Sequence, residues 1–410
     1  MKISPLPIMY WERIDTMNKE EYRKLFYACN HCVYLDQAYD CGSTLFGIKA
    51  MEKYFSDWNN AAVNVERGGP GRLSHFIVAD ETRELIRRLV NAESADLIAF
   101  TRNTNEGLNA ILQGFEFEKN DNIITAEIEH ESVFMPALRA AETRGIEVKV
   151  LPTRKDEKIL SEELIALADE NTRMILVSHV QSKNGYRIDL EKLGNMCHER
   201  GIYLIVDAIQ SLGLEPFDMR KWHVSAVNAA GYKGLNSVIS IAFTAYSREL
   251  LRKVHPTYVA AGFCTDITKT KDGWKIICKD EENARKMENS SLDNPGIYVL
   301  HDALEIIFER GVENIYEEIM KLYEKLYSGL KQLRYPLITP ENGAEHLGII
   351  AMKPEDPQKM FEFFRSKNIA LSRSGKIYIR VSLGGFNNED DIDYFLNAAE
   401  EYAELSKRQY

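Results

Sequence analysis

From residue 95 to residue 245, short apolar runs alternate with stretches whose apolar residues recur every three to four positions. The runs Leu97–Thr101, Ile123–Ala126, Glu147–Leu151, Met174–His179 and Tyr203–Val206 are too short for helices and rich in β-branched and aliphatic residues, so they predict strands. Between them, Glu106–Gly114, Ser132–Arg144, Glu162–Asp169 and Leu190–Arg200 carry the spacing near 3.6 that predicts helices. Alternation at these lengths implies strand–helix–strand crossovers. The expected fold is therefore α/β, with a mostly parallel central sheet and helices on both faces. Ligands of such sheets sit beyond the carboxyl ends of the strands, where Asp207 and His179 fall.

Past this region the pattern changes. Val238–Tyr246 predicts one more buried strand, and residues 252–293 read as irregular, polar and rich in Lys and Thr. A long helical pattern from Ile297 to Leu333 carries Gly311, which predicts a break. Strands Gly348–Met352 and Ile377–Val381, alternating with helices Pro357–Lys367 and Glu389–Ser406, form a small α+β unit. The expected organisation is an N-terminal segment (1–60) packing on the domains, a large domain (61–294) and a small C-terminal domain (295–410). A helix over Lys19–Tyr27 should pack against one of the two domains. The chain, at 410 residues, is long enough for two cores.

Charge and cysteine content narrow the function classes. A formal charge of −11 and the lack of a basic stripe argue against a nucleic-acid binder. No run approaches the roughly 18 apolar residues of a membrane span, and the first residues lack a signal-peptide core, so the cytoplasm is expected. The six cysteines are unevenly spread and read as reduced. Cys29 and Cys32 have the spacing of half a metal site, but no second pair follows. His179, Cys197 and His198 also lack paired spacing, so no metal is expected.

The chemistry is concentrated at two points. The strand ending in Asp207 is followed by Ala230-Gly231-Tyr232-Lys233-Gly234, a lone lysine in a glycine-flanked turn. A carboxylate for a pyridinium nitrogen and an amine for a Schiff base are what a pyridoxal 5'-phosphate site requires. Lys233 would hold the cofactor and, when released, act as the base for the α-proton. Asp207 would keep the ring nitrogen protonated. Thr104 and Asn105 open a helix whose N-terminus suits a phosphate.

The motifs Tyr34-Leu35-Asp36, Asn64-Val65-Glu66-Arg67-Gly68, residues 102–109, Glu129-His130, Ser178-His179-Val180, Val206-Asp207-Ala208-Ile209-Gln210 and the Lys233 turn occur in an order and spacing that resembles the class V aminotransferase family. That group of fold-type I enzymes includes cysteine desulfurases, C–S lyases and isopenicillin N epimerase-like proteins. The resemblance spans nearly the whole chain. It implies that His130 stacks on the cofactor ring, that Gln210 bonds the phenolic oxygen, and that Arg380 clamps a substrate α-carboxylate, a task suited to its planar fork. Ser182 is implied to lie at the substrate. Ser291 aligns with a hydroxyl lent to the phosphate of a neighbouring subunit, which implies a homodimer with a shared active site.

Departures from the family pattern matter equally. Many members carry Ser and His where this chain has Ala230 and Tyr232. Cysteine desulfurases need a persulfide-forming cysteine shortly before the arginine, whereas residues 370–376 contain none. Gln181-Ser182 stands where desulfurases have an asparagine, a trait nearer the epimerase and C–S lyase branch. The expected reaction on a small amino acid is therefore β-elimination of C–S lyase type. The alternatives are transamination, epimerisation or a non-catalytic cofactor-binding scaffold.

Overall fold

The computed structural model describes residues 17–63, 74–259, 264–288, 291–341 and 343–407. The Asn64–Gly68 motif, the Gly68-Gly69-Pro70-Gly71 turn and residues 289–290 before Ser291 lie outside the described residues. The chain begins with α1 (Lys19–Lys24), the short β1 (Val33–Tyr34), α2 (Leu45–Val63) and α3 (Ser74–Val90). Then strands and helices alternate: β2 (Ile98–Thr101), α4 (Thr104–Gly114), β3 (Asn122–Ala126), α5 (Glu131–Arg144), β4 (Glu147–Leu151), α6 (Ser161–Ala166), β5 (Thr172–Ser178), α7 (Leu190–Glu199) and β6 (Tyr203–Asp207). Next come β7 (Ala226–Ala230), β8 (Ala242–Tyr246), α8 (Arg248–Lys253), β9 (Thr265–Thr270), β10 (Gly273–Cys278), α9 (Asn294–Arg310) and α10 (Val312–Gln332). The C-terminal part holds β11 (Ile349–Met352), α11 (Pro357–Ser366), β12 (Ile369–Ala370), β13 (Ser372–Ser374), β14 (Tyr378–Ser382) and α12 (Glu389–Lys407).

The central sheet has seven strands in the order β2-β8-β7-β6-β5-β3-β4. All neighbours run parallel except β8, which is antiparallel to β2 and β7. The side-chain period of two splits the sheet into two cores. Ile98, Phe100, Leu204, Val206 and Val227 pack on the face that carries α3, α7 and α9. Leu97, Ala99, Ile205 and Ala226 pack on the face that carries α4, α5 and α8. Asp207 and its partner in register, Asn228, have the parity of the second face and meet the start of α4. The expected α/β architecture with helices on both sides is the one found.

Several local expectations change: the helices expected over Lys19–Tyr27 and Glu162–Asp169 end at Lys24 and Ala166, and Ala226–Ala230 is a central strand that the pattern does not mark. The polar stretch 252–293 contains an antiparallel hairpin, β9–β10, with Ile276 opposite Ile267. Its β-branched residues and the Asp272-Gly273 turn, with Gly273 at φ +121°, favour that form. The strand Val238–Tyr246 shrinks to Ala242–Tyr246, because residues before it complete the turn around Lys233. The C-terminal sheet has a third strand, β13, in the order β11-β14-β13. Gly311, at φ +80°, separates α9 from α10 as the pattern predicts.

The N-terminal segment ties the parts together. β1 runs parallel to β12, and Asp36 bridges to Ser382 of β14. Arg23 on α1 forms a two-pronged ion pair with the buried Asp391, at 2.7 and 2.9 Å. The neighbouring Tyr22 hydroxyl accepts a 2.9 Å hydrogen bond from Asn236, three residues beyond Lys233. The helix expected against one domain thus touches both the C-terminal unit and the lysine turn. No helix among the described residues is long and apolar enough to cross a membrane.

Close packing allows a direct test. A Cβ on Gly194 of α7 would lie 1.7 Å from the carbonyl oxygen of Trp222, so backbone would have to move. Gly194→Ala is expected to lower stability by about 2–3 kcal/mol. A lowered urea midpoint at an unchanged slope would show it; an unchanged midpoint would contradict the packing described.

Candidate active site

The site gathers at the carboxyl edge of β5, β6 and β7. Asp207 ends β6 and is buried. Its Oδ1 accepts the Ile209 N–H at 3.0 Å. Burial raises its pKa, while the Ile209 N–H, the Lys233 ammonium and the Thr104 hydroxyl favour the charged form. Lys233 is half-buried in the connection from β7 to the antiparallel β8. Burial and the Arg380 charge lower its pKa, opposed by Asp207, Asp36 and Asp40. A fraction of neutral amine is therefore favoured nearer neutral pH than for an exposed lysine. The turn is held by Ser237 N–H to Gly231 O at 2.8 Å, Asn236 N–H to Lys233 O at 2.9 Å, and Cys41 N–H to Tyr232 O at 2.9 Å. Gly234 is required by contact, since a Cβ there would lie 2.3 Å from Leu212 O.

Around this pair the other expected residues fall in distinct positions. Thr104 is the buried first residue of α4, and the helix cap is Asn103, whose side chain accepts the Glu106 N–H at 2.8 Å. Capping by Asn103 leaves the Thr104 hydroxyl for Asp207. Asn105 is exposed and turns outward. It bonds Asn109 at 3.0 Å and lines a cleft of about 540 Å³ with Arg102, Arg139 and Tyr258. Gln210 is buried with one N–H donated to Ala38 O at 3.1 Å. His130 caps α5, its Nδ1 accepting the Ser132 N–H at 3.1 Å. Burial of its ring and the charges of Lys233 and Arg380 lower its pKa, so the neutral imidazole is favoured. Ser291 is exposed ahead of α9, at φ +59°.

Arg380, on β14, is brought to the same place by the C-terminal sheet. Its Nε donates to Ser372 Oγ at 3.1 Å, and one terminal nitrogen donates to Ser182 O at 2.8 Å. Ser182 therefore offers the arginine its backbone carbonyl. Cys41 lies beside the lysine turn, but burial and Asp40 push its thiol up to about 12. Burial likewise pushes Cys29 up to about 12 and raises Cys32, so both thiols favour the protonated form.

Two acids in the quoted motifs had no role assigned from sequence. Glu129, beside His130, is buried and accepts from Ser178 N–H (2.9 Å), Ser178 O–H and Gln181 Nε2 (2.8 Å). It thereby fixes the end of β5. Asp36 faces Arg380, with Oδ1 3.9 Å from a terminal nitrogen. The only linear signal for either was its place in a motif, because their partners lie far away in sequence.

Burial pushes the Glu129 carboxyl up from 4.5 to about 7. The folded state then prefers the protonated acid, and stability from this group is withdrawn as pH rises from the unfolded value to the folded one. Relative to Glu129→Gln, wild type is expected to lose up to about 3 kcal/mol between pH 4 and 8. Paired denaturation curves across that range check the sign; a gap that does not vary with pH would refute the protonation assigned to Glu129.

The family model described as aminotransferase class-V matches residues 33–395. A probable cysteine desulfurase from Methanothermobacter thermautotrophicus is 27% identical over 408 residues, covering 94% of this chain and 98% of the relative. Another from Pyrococcus abyssi is 27% identical over 402 residues, covering 93% and 97%. Among solved structures, the cysteine desulfurase of Thermococcus onnurineus NA1 aligns with a TM-score of 0.83 at 23% identity, covering 94% of this chain and 98% of that one. The cystine C–S lyase C-DES, solved with its reaction product cysteine persulfide, aligns at 0.77 with 19% identity, covering 92% and 99%. These structures share the fold.

Proposed function

Since the chain belongs to the aminotransferase class-V family and is a pyridoxal phosphate-dependent enzyme, we propose that it expels a sulfur-bearing group from the β-carbon of a small amino acid. The residues fit that cofactor. Lys233 is a partly neutral amine suited to hold its aldehyde, Asp207 is a buried acid whose charged form Ile209, Lys233 and Thr104 support against burial, and Thr104 opens a helix N-terminus suited to its phosphate. Bound there, the cofactor supplies an electron sink for the pair released when the α-proton leaves.

The chain's own residues do the rest. Arg380 binds the α-carboxylate with the terminal nitrogen not given to Ser372 or Ser182, and so orients the α-carbon. The lowered pKa of Lys233 makes it the base for the α-proton. His130, with Nδ1 accepting from backbone, carries its proton on Nε2 and presents a flat, neutral ring to the cofactor. Gln210 keeps a second N–H for the cofactor's phenolic oxygen.

One observation carries elimination over persulfide transfer. The run before Arg380 that desulfurases use for a cysteine is here paired into β12 and β13, with Ser372 opposite Arg380. This run holds no thiol to accept sulfur, and its Ser372 hydroxyl accepts a hydrogen bond from the arginine. Purified protein with added pyridoxal phosphate is expected to show a visible band that Lys233→Ala lacks and borohydride removes. S-substituted cysteines should then yield pyruvate and ammonia, with turnover lowered by at least about 10³-fold in the variant. Conversion of the cofactor to its amine form would favour transamination, deuterium at an intact α-carbon epimerisation, and a band without any turnover a scaffold.

The active form is proposed to be a homodimer sharing its sites. The β9–β10 hairpin exposes Ile267, Trp274, Ile276 and Ile277, and a two-stranded sheet is marginal alone in water. The exposed Ser291 would then reach the partner's phosphate. Sedimentation should give twice the 47.0 kDa chain mass, and Trp274→Glu with Ile276→Lys should shift it toward monomer. A monomeric, active wild type would refute the shared site.

A further inference from the structure

We infer that Asp36 is the second half of the amino-acid recognition site, its carboxylate taking the substrate's α-ammonium while Arg380 takes the α-carboxylate. The inference deepens the reading proposed above and rests on it. Asp36 follows β1 and bridges to Ser382, which sets its side chain beside Arg380 two residues earlier on β14. Its Oδ1 lies 3.9 Å from a terminal nitrogen of Arg380, near enough for charge attraction but too far for a hydrogen bond. That oxygen is buried and has no hydrogen-bond partner. A buried carboxylate oxygen ordinarily finds a donor, so this one is short of an N–H. Arg380 has the converse arrangement: two of its nitrogens are committed to Ser372 Oγ and Ser182 O, and the third faces Asp36 without a bond to it.

An acid and a base that face each other without bonding form a complementary pair for a zwitterion. An amino acid carries an ammonium and a carboxylate on adjacent carbons, and the two meet Asp36 and Arg380 at once. A carboxylic acid without the amine satisfies only Arg380 and must approach the Asp36 charge unrewarded. Asp36 is thus placed to select primary amino acids over simple carboxylates.

The surrounding charges agree. Burial pushes the Asp36 carboxyl up to about 6, while a hydrogen bond from the Ser372 hydroxyl on β13 to the carboxylate, Arg380 on β14 and Lys233 in its turn favour the charged form, and Asp40 opposes it; Oδ1 alone is left without a donor. The Tyr34 hydroxyl is already engaged with Asp40, at 2.8 Å, and so does not supply the missing donor.

The test compares holo wild type with holo Asp36→Asn and Asp36→Glu by titration calorimetry. The probes are N,N-dimethylglycine, which has both charges and an N–H but cannot condense with the cofactor, and propionate, which lacks the ammonium. Asp36→Asn should weaken N,N-dimethylglycine by about tenfold or more while leaving propionate unchanged or tighter, because Arg380 loses its counter-charge. Asp36→Glu should keep part of the preference. In wild type alone, the preference for N,N-dimethylglycine over propionate should fall as pH drops through about 6. A merely structural Asp36 would weaken both ligands together, and that result, or an unchanged preference, would overturn the inference. Loading is read first from the visible band. A band with an unchanged preference overturns this inference alone, whereas no band in wild type overturns the reading of the site along with it.

Discussion

Keeping opposite charges out of water at one edge of a sheet is the constraint on which this structure is organised. Asp207 and Lys233 are each disfavoured by burial, and each is made tolerable by the other. Removing either would leave a charge with too little compensation. Both therefore need rigid supports, and the fold provides them. Asp207 is fixed at the end of a strand buried from Leu204 onward, with an N–H and a hydroxyl turned toward it. Lys233 stands on the connection between two adjacent strands, with three backbone hydrogen bonds closing the turn.

The second support comes from outside the sheet. Arg380 adds a positive charge that depresses Lys233, and it reaches this place only because β14 is flanked by β11 and β13 and bridged to the segment after β1. The N-terminal segment does more than cover the domains. It pairs with β12, supplies Asp36, and through Tyr22 holds the residue three positions past Lys233. The site is thus a convergence of the central sheet, the C-terminal sheet and the N-terminal segment. Motion of any one against the others would alter the charges that Lys233 feels.

Much of the architecture was legible along the chain because its signals are local. Strand and helix periods repeat within a few residues, so β4 agrees with its expected bounds, α4, α5 and α7 fall within two residues of theirs at each end, and Gly311 marks a real break. The shortfalls have local causes too. β13 spans only three residues, Ser372–Ser374, too few to show a period. The β9–β10 hairpin was obscured by a polar composition that suits an exposed ribbon as well as it suits a loop. In the site, the same limit explains why Thr104 and Asn105 were indistinguishable: they are adjacent in sequence, but the helix turns one toward Asp207 and the other toward the outer cleft.

By itself the sequence determined the alternation that makes a parallel sheet, the acid at a strand's carboxyl end and the lysine in a tight turn, since each is written in neighbouring residues. It also carried the absence of a cysteine before Arg380. Tertiary structure alone decided which charges meet. Arg380 bonds Ser182 across 198 residues, Tyr22 bonds Asn236 across 214, and Asp36 faces an arginine from the other end of the chain. Periodicity reports which way a side chain points on its own element, whereas the partner it finds depends on how separate elements pack.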